Sequence, residues 1–205
     1  MRIFVLFLLA FVLWTPASKA GSNPDIISRV ENYLQNLKKA KAGFVQTAPN
    51  GRQLSGTFYL KRPGRLRFEY EGIDDFIVAD GTFIYFYDSE LGSQSHAPIS
   101  QSLANFLLRE DLSLTNKKDI AISQAFDTGE EIVITLTQKD DPEAGALTLF
   151  FNRQRNKIVL DEWIVKDAQN NLTKVDLENL STDVSFDGDL FVYRDPKSGG
   201  PVYNE

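Results

Sequence analysis

The sequence contains a single histidine, His96, with two serines close to it, Ser93 and Ser95. A serine nucleophile needs a base held against its hydroxyl and an acid that orients the base. Adjacent residues of an extended segment point in opposite directions, and the chain has no nucleophile-elbow motif. The pattern therefore argues against hydrolysis at His96, which we predict to lie in a loop after a strand at residues 83–88.

Oxygen-bearing residues between Asp167 and Glu178 recur at the spacing of a calcium-binding loop. The sixth position of such a loop requires glycine for its sharp turn, and here that position is Leu172. The chain has no cysteine, so a zinc site would need mostly carboxylate ligands, which is unusual. We therefore expect no catalytic residue, no metal and no cofactor. The absence of a recognisable catalytic or metal-binding motif favours a binding protein.

One arginine falls on an apolar strand face. Within residues 56–70, alternation places Phe58 and Leu60 on one face, and the next residue on that face is Arg62, immediately before Pro63. A buried charge is costly unless it is paired and hydrogen-bonded. Either the strand ends there and Arg62 reaches solvent, or polar groups of another element meet the guanidinium.

Residues 1–20 have the pattern of a secretory signal peptide. A basic residue precedes an apolar run from Ile3 to Trp14, and Ser18 and Ala20 stand at cleavage-like positions. The run is too short to span a bilayer core of roughly 30 Å, so an uncleaved anchor helix is the weaker alternative. We expect export, cleavage after Ala20 and a single domain over residues 21–205.

The composition limits the partners of the exported chain. The 205 residues carry a net charge of −6, and removal of residues 1–20 would make it −8, because that segment holds two basic residues and no acid. An acidic chain is a poor candidate for binding nucleic acid or an anionic membrane surface. Without cysteine there is no disulfide, so apolar burial must hold the domain together.

The sequence predicts one helix followed by two series of strands. Residues 22–40 form an amphipathic helix with Pro24 in its first turn. Alternating or apolar segments between turn signals predict ten strands, joined tightly enough to be antiparallel neighbours. They are residues 44–47, 54–61, 66–71, 76–79, 83–88, 120–125, 131–138, 146–152, 158–166 and 173–180. The expected fold is therefore mainly β and not a doubly wound sheet.

A helical segment at residues 99–110 interrupts the strands, which suggests that it lies over the sheet. Its apolar face consists of Ile99, Leu103, Phe106 and Leu107. The strand at residues 83–87 is apolar on both faces, whereas a sheet with one wet face alternates. Two explanations remain open: an outer face covered by loops and long side chains, or a concave sheet that lines a cavity closed by helices.

Several segments, taken in order, resemble the LolA family of periplasmic outer-membrane lipoprotein carriers. They are FVQT at 44–47, GTFYLKRPGRLRFEY at 56–70, IVADGTFIYFYDSEL at 77–91, WIVKDAQNNLTKVDLENL at 163–180 and LFVYRDP at 190–196. The Lys-Arg-Pro-Gly segment and the Asp-Gly hairpin with its aromatic residues are the most specific. The sequence has no cysteine that could carry a lipid anchor. In this respect it resembles the soluble carrier more than the related outer-membrane receptor, which is itself a lipoprotein.

The resemblance implies both a fold and a function. The expected fold is an incomplete, strongly curved antiparallel β-barrel closed by lid helices over an apolar cavity. The chain would be a monomeric, non-enzymatic carrier in the periplasm, binding the acyl chains of lipoproteins released by an inner-membrane ABC transporter. It would then deliver this cargo to an outer-membrane lipoprotein receptor. The alternative is the same fold carrying or sensing another lipid or a glycolipid.

The resemblance also implies a role for Arg62. The family's arginine before the proline, which Arg62 matches, contacts the lid and helps to keep the empty protein closed. Strand parity places five further side chains in the cavity: Phe58, Leu60, Leu66, Phe68 and Tyr70. The predicted lid residues are Leu103, Phe106 and Leu107. For each apolar residue, ordinary core packing is the alternative.

Overall fold

The structure, a computed structural model, describes residues 24–115, 119–155 and 157–197. The predicted signal peptide lies outside these residues. The helices are α1 (Pro24–Asn36) and α2 (Asn105–Leu108), with 3-10 turns at Ile99–Gln101, Pro142–Ala144 and Gly188–Phe191. None of the described helices has the length and apolar character that a membrane crossing requires.

Eleven strands are described, in two series along the chain. The first series is β1 (Lys39–Thr47), β2 (Gln53–Lys61), β3 (Arg65–Tyr70), β4 (Phe76–Asp80), β5 (Phe83–Asp88) and β6 (Ser93–Pro98). The second is β7 (Ile120–Asp127), β8 (Glu131–Gln138), β9 (Gly145–Gln154), β10 (Lys157–Asp167) and β11 (Leu172–Ser181). All neighbouring strands pair antiparallel in one sheet.

The strand order is β6-β5-β4-β3-β2-β1-β11-β10-β9-β8-β7. The pairing of β1 with β11 joins the two series, so the edges of the sheet are β6 and β7, which the segment containing α2 connects. Bulges in the pairings of β1 with β11, β9 with β10 and β7 with β8 bend the strands. The expected mainly β fold, an antiparallel sheet that curves without closing, is confirmed.

The predicted first helix is shorter than expected. It ends at Asn36, and the following residues form β1. Ala40 and Ala42 are buried while Lys39 and Lys41 are exposed, which is the alternation of a strand with one face against the core. Residues with good helix propensity thus become a strand because β2 and β11 hydrogen-bond to both sides of them.

The prediction that His96 lies in a loop is wrong. His96 belongs to β6, opposite Tyr85 of β5, and its exposed ring lies against the rings of Phe83 and Tyr85 at centroid distances of 5.5 and 5.6 Å. Strand β6 has the sequence SQSHAP and buries none of these residues, so it carries no alternating apolar signal. Its position at the edge of the sheet explains why polarity is tolerated there.

The prediction of one helix over residues 99–110 is also wrong. The segment forms a 3-10 turn and then the single α-helical turn α2, separated at Ser102. Ser102 has extended backbone angles, and its hydroxyl accepts a hydrogen bond from the Ala104 amide at 3.1 Å. A serine hydroxyl that binds a nearby backbone amide in this way competes with the backbone hydrogen bonds of a helix. The helix is therefore interrupted at Ser102, although the apolar residues keep a helical spacing.

The apolar strand at residues 83–87 is covered on its outer face and partly covered on its inner face, where Phe86 is 39% exposed. Tyr85 and Tyr87 point to the outer face, where the C-terminal segment brings Tyr193 onto Tyr85 in a stacked contact at 4.6 Å. Ile84 points to the opposite face and lines the cavity described below. Both explanations left open by the sequence therefore apply, one to each face of the sheet.

Candidate functional site

An apolar cavity of about 370 Å³ lies between the inner face of the sheet and the α2 segment. Thirteen of its sixteen lining residues are apolar, and none is charged. The lining is Gln46, Phe58, Leu60, Leu66, Phe68, Ile77, Ile84, Ser102, Leu103, Ala104, Leu107, Leu147, Trp163, Val165, Thr173 and Val175. Such a surface has no directional chemistry and suits a hydrocarbon ligand.

Most residues predicted from strand parity line this cavity. Four come from the β2–β3 hairpin, and Leu103 and Leu107 face them from the α2 segment. The four hairpin residues are Phe58, Leu60, Leu66 and Phe68. The structure therefore brings these six side chains together, while a role in binding acyl chains stays a prediction.

Two predicted residues do not line the cavity. Tyr70 donates a hydrogen bond from its hydroxyl to Gln46 Oε1 at 2.9 Å and packs edge-on against Phe44. Its burial raises the pKa of the Tyr70 hydroxyl to about 12. Phe106 is buried in the core, with its ring 5.9 Å from the Arg109 guanidinium. Both side chains are buried, as strand parity for Tyr70 and helical periodicity for Phe106 indicate, but they pack beside the cavity.

The prediction missed the five lining residues that the second series of strands supplies. Trp163 and Val165 of β10 alternate toward the cavity, and Leu147 of β9 and Val175 of β11 join them. The centroid of the Trp163 ring lies 5.4 Å from that of the Phe58 ring, so side chains of the two series of strands contact each other here. The WIVKD alternation marks the inner face of β10, but only the pairing of β1 with β11 shows that it meets β2.

Arg62 is 8% exposed, and its guanidinium meets the backbone of two other elements. One terminal nitrogen donates to the carbonyl of Leu34 and, at 3.2 Å, to that of Leu37 at the end of α1. The other donates to the carbonyls of Arg109 at 2.8 Å and Glu110 at 3.5 Å, just after α2. Of the two possibilities open from the sequence, polar groups come to meet the arginine.

The turn that carries Arg62 is fixed on both sides. The Arg62 amide donates to the Lys38 carbonyl and the Gly64 amide to the Leu108 carbonyl, each at 2.8 Å. Gly64 has a φ of 76°, and a Cβ there would lie 2.7 Å from the Cα of Gly81. Because only glycine fits this approach, the Lys-Arg-Pro-Gly turn and the Asp-Gly turn can touch each other.

The charge of Arg62 is balanced by backbone dipoles. Among the described residues its guanidinium has four carbonyl partners and no carboxylate. Burial lowers the pKa of the Arg62 guanidinium to about 10, so the group stays charged at neutral pH. One acceptor, the Leu34 carbonyl, belongs to the last turn of α1 and another, that of Leu37, directly follows the helix; carbonyls at a helix C-terminus lack helical partners and favour a cation.

The geometry joins β2, α1 and the segment after α2 at one buried side chain. Arg62 contributes two of the hydrogen bonds that tie the α2 segment to the sheet, and the Gly64 amide contributes another through the Leu108 carbonyl. Across the residues that the structure describes, no group of three or more His, Cys, Asp or Glu side chains could hold a metal ion. The site as a whole is suited to enclosing a ligand.

The family model for "Outer membrane lipoprotein carrier protein LolA" matches residues 35–194. An outer-membrane lipoprotein carrier protein of Methylococcus capsulatus is 27% identical over 98% of this chain and 97% of its own. One of Alcanivorax borkumensis is 26% identical over 99% and 97%. The structure of a LolA superfamily protein of Nitrosomonas europaea is similar at 12% identity and a TM-score of 0.45, over 85% of this chain and 99% of the other. Because the family model spans most of its length, this chain belongs to the LolA family.

Proposed function

We propose that the chain is a periplasmic carrier that binds the acyl chains of lipoproteins released from the inner membrane and delivers them to the outer membrane. The observation that carries the proposal is the uncharged cavity beneath a segment that Arg62 ties to the sheet. The family match and its full-length relatives, which are named as lipoprotein carriers, support the same conclusion.

The energetics require a carrier of this kind. Burial of one methylene group is worth roughly 0.8 kcal/mol, so a sixteen-carbon chain exposed to water represents about 12 kcal/mol. A lipoprotein with several such chains cannot cross an aqueous space unprotected. The cavity, at about 370 Å³, lies near the lower end of the range of ligand pockets, so we infer that the α2 segment moves away when several chains enter.

Delivery requires that the carrier does not hold its cargo too tightly. A closed empty state provides this, because the free energy spent on opening is subtracted from the binding free energy of every cargo. We assign Arg62 to this task, as a latch that stabilises the closed state through the carbonyls of two elements. Phe58, Leu60, Leu66 and Phe68 would form the wall of the acyl site, and Leu103 and Leu107 its lid.

The proposed partners follow from the same cycle. An inner-membrane ABC transporter supplies the lipoprotein, and an outer-membrane lipoprotein receptor accepts it. Such a transfer involves no catalytic step, and we assign none to His96, whose exposed ring packs against Phe83 and Tyr85. The carrier is proposed to work as a monomer in the periplasm.

Trp163 provides a direct test of what the cavity binds. It lies in the lining, and the only other tryptophan, Trp14, lies in the predicted signal peptide. Titration with 9,10-dibromostearate should quench the fluorescence of Trp163, because bromine quenches an indole ring only at contact distance. A Trp163→Phe variant gives the background. Saturable binding of the acid without quenching would place the acyl site elsewhere.

Replacement of Arg62 by leucine should tighten binding. Loss of the hydrogen bonds to the α1 and α2 carbonyls removes about 1–3 kcal/mol from the closed state, which corresponds to roughly tenfold to hundredfold in apparent affinity. The dissociation constant from the quenching titration and the rate of release to acceptor vesicles report this change. Arg65→Leu is the matched control, since Arg65 is exposed at the start of β3. An unchanged affinity and release rate in folded Arg62→Leu protein would refute the latch.

Native mass spectrometry of the protein taken from its own periplasm should identify the cargo. We expect a one-to-one complex with a triacylated lipoprotein, and the Arg62→Leu variant is the preferred form because it should release its cargo slowly. A bound free lipid or glycolipid in place of a lipoprotein would contradict the proposed cargo and support the alternative carrier. This outcome would leave the quenching result intact, so cavity and cargo are tested separately.

A further inference from the structure

A second cleft, of about 980 Å³, lies between α1 and the β9–β10 hairpin. Four of its twelve lining residues are basic and none is acidic, although the chain as a whole carries a net charge of −6. The basic residues are Arg29, Arg153, Arg155 and Lys157. The cleft shares no lining residue with the acyl cavity, so an inference about it does not rest on the proposed function.

Three of these four cations are available to a ligand. Arg153 forms an ion pair with Asp127 of β7, which neutralises it. Arg29, Arg155 and Lys157 are exposed, and among the described residues none of the three forms an ion pair with a carboxylate, although the charge of Arg29 helps to lower the pKa of the Asp127 carboxyl. A cluster of unpaired like charges repels itself, so the arrangement favours a ligand that brings negative charge.

The position of Arg155 supports the same conclusion. It has a φ of 57°, in the turn between β9 and β10, where glycine or asparagine would be the favourable residue. Arginine therefore occupies a turn position that it does not suit by backbone preference. The planar guanidinium that it contributes can bind a carboxylate through two parallel hydrogen bonds.

The floor of the cleft shows what kind of ligand it fits. Tyr33, Leu37, Ile158, Val159 and Leu180 supply apolar or aromatic surface, and the amides of Asn32 and Asn36 lie beside them. We propose that the cleft is a docking site for an acidic segment of a partner protein, with carboxylates on the basic rim and an apolar side chain on the floor. A recessed cleft suits a protruding chain, whereas a flat anionic bilayer would be repelled by the net negative charge of the protein.

The docking segment would contact the last turn of α1. Asn36 and Leu37 line the cleft, and the Leu37 carbonyl is one of the acceptors of Arg62. The cleft therefore adjoins the latch while remaining separate from the acyl cavity.

A fluorescein-labelled peptide of ten glutamates serves as the probe, with binding measured by fluorescence anisotropy at low salt. The triple variant Arg29→Ser, Arg155→Ser and Lys157→Ser should weaken binding about tenfold, as expected from the loss of three exposed ion pairs. The control variant Arg52→Ser, Arg65→Ser and Lys139→Ser removes the same number of arginines and lysines from exposed positions outside the cleft. It should retain the wild-type affinity. Added salt should weaken wild-type binding.

Three outcomes would overturn the proposal. They are equal loss of affinity in the two triple variants, no binding by the wild-type protein, and binding to phosphatidylglycerol vesicles that depends on the same three residues. The last would assign the cleft to a lipid surface. Quenching of Trp163 by dibromostearate should be unchanged in the cleft variant, which shows that the variant is folded and that this test is independent of the acyl site.

Discussion

The contact of the Arg62 guanidinium with four backbone carbonyls joins three elements of the structure, and the proposed latch depends on it. It joins β2 to the end of α1 and to the segment after α2, through donors that only an arginine can direct to both sides at once. A lysine ammonium is a point charge and could not span both sets of acceptors. Because all the partners are backbone groups, the contact depends on where the elements lie, and it breaks when they move apart.

The rest of the architecture is consistent with a lid that is held weakly. The sheet is unclosed between β6 and β7, and the connection between these edges crosses the inner face as a 3-10 turn and a single helical turn. Pieces this short have little stability of their own, because helix formation becomes favourable only over several turns. The α2 segment is held in place by Leu103 and Leu107 in the cavity, by the hydrogen bond from the Gly64 amide and by Arg62.

The sequence predicted the parts that depend on local pattern. Alternation located ten of the eleven strands and singled out Arg62 as an arginine on an apolar face, while the polar edge strand β6 gave no signal. It also placed Phe58 and Phe68 on the inner face, because a hairpin fixes register locally. Alternation could not predict that Trp163 and Val175 line the cavity. They reach it because β1 pairs with β11, and these strands lie far apart in the sequence. The basic cleft combines residues from α1 and the β9–β10 hairpin, and no local motif marks it.

Hydrogen exchange of the empty protein tests the central claim most directly. Exchange measured by mass spectrometry should be faster in Arg62→Leu than in the wild-type protein over residues 99–110 and at Gly64, whose amide is bonded to Leu108. The amides of β8 and β9 should exchange at the same rate in both proteins. Equal exchange over residues 99–110, or an acceleration spread evenly over the sheet, would contradict the account, because Arg62 would then stabilise the whole fold and not the closed position of the lid.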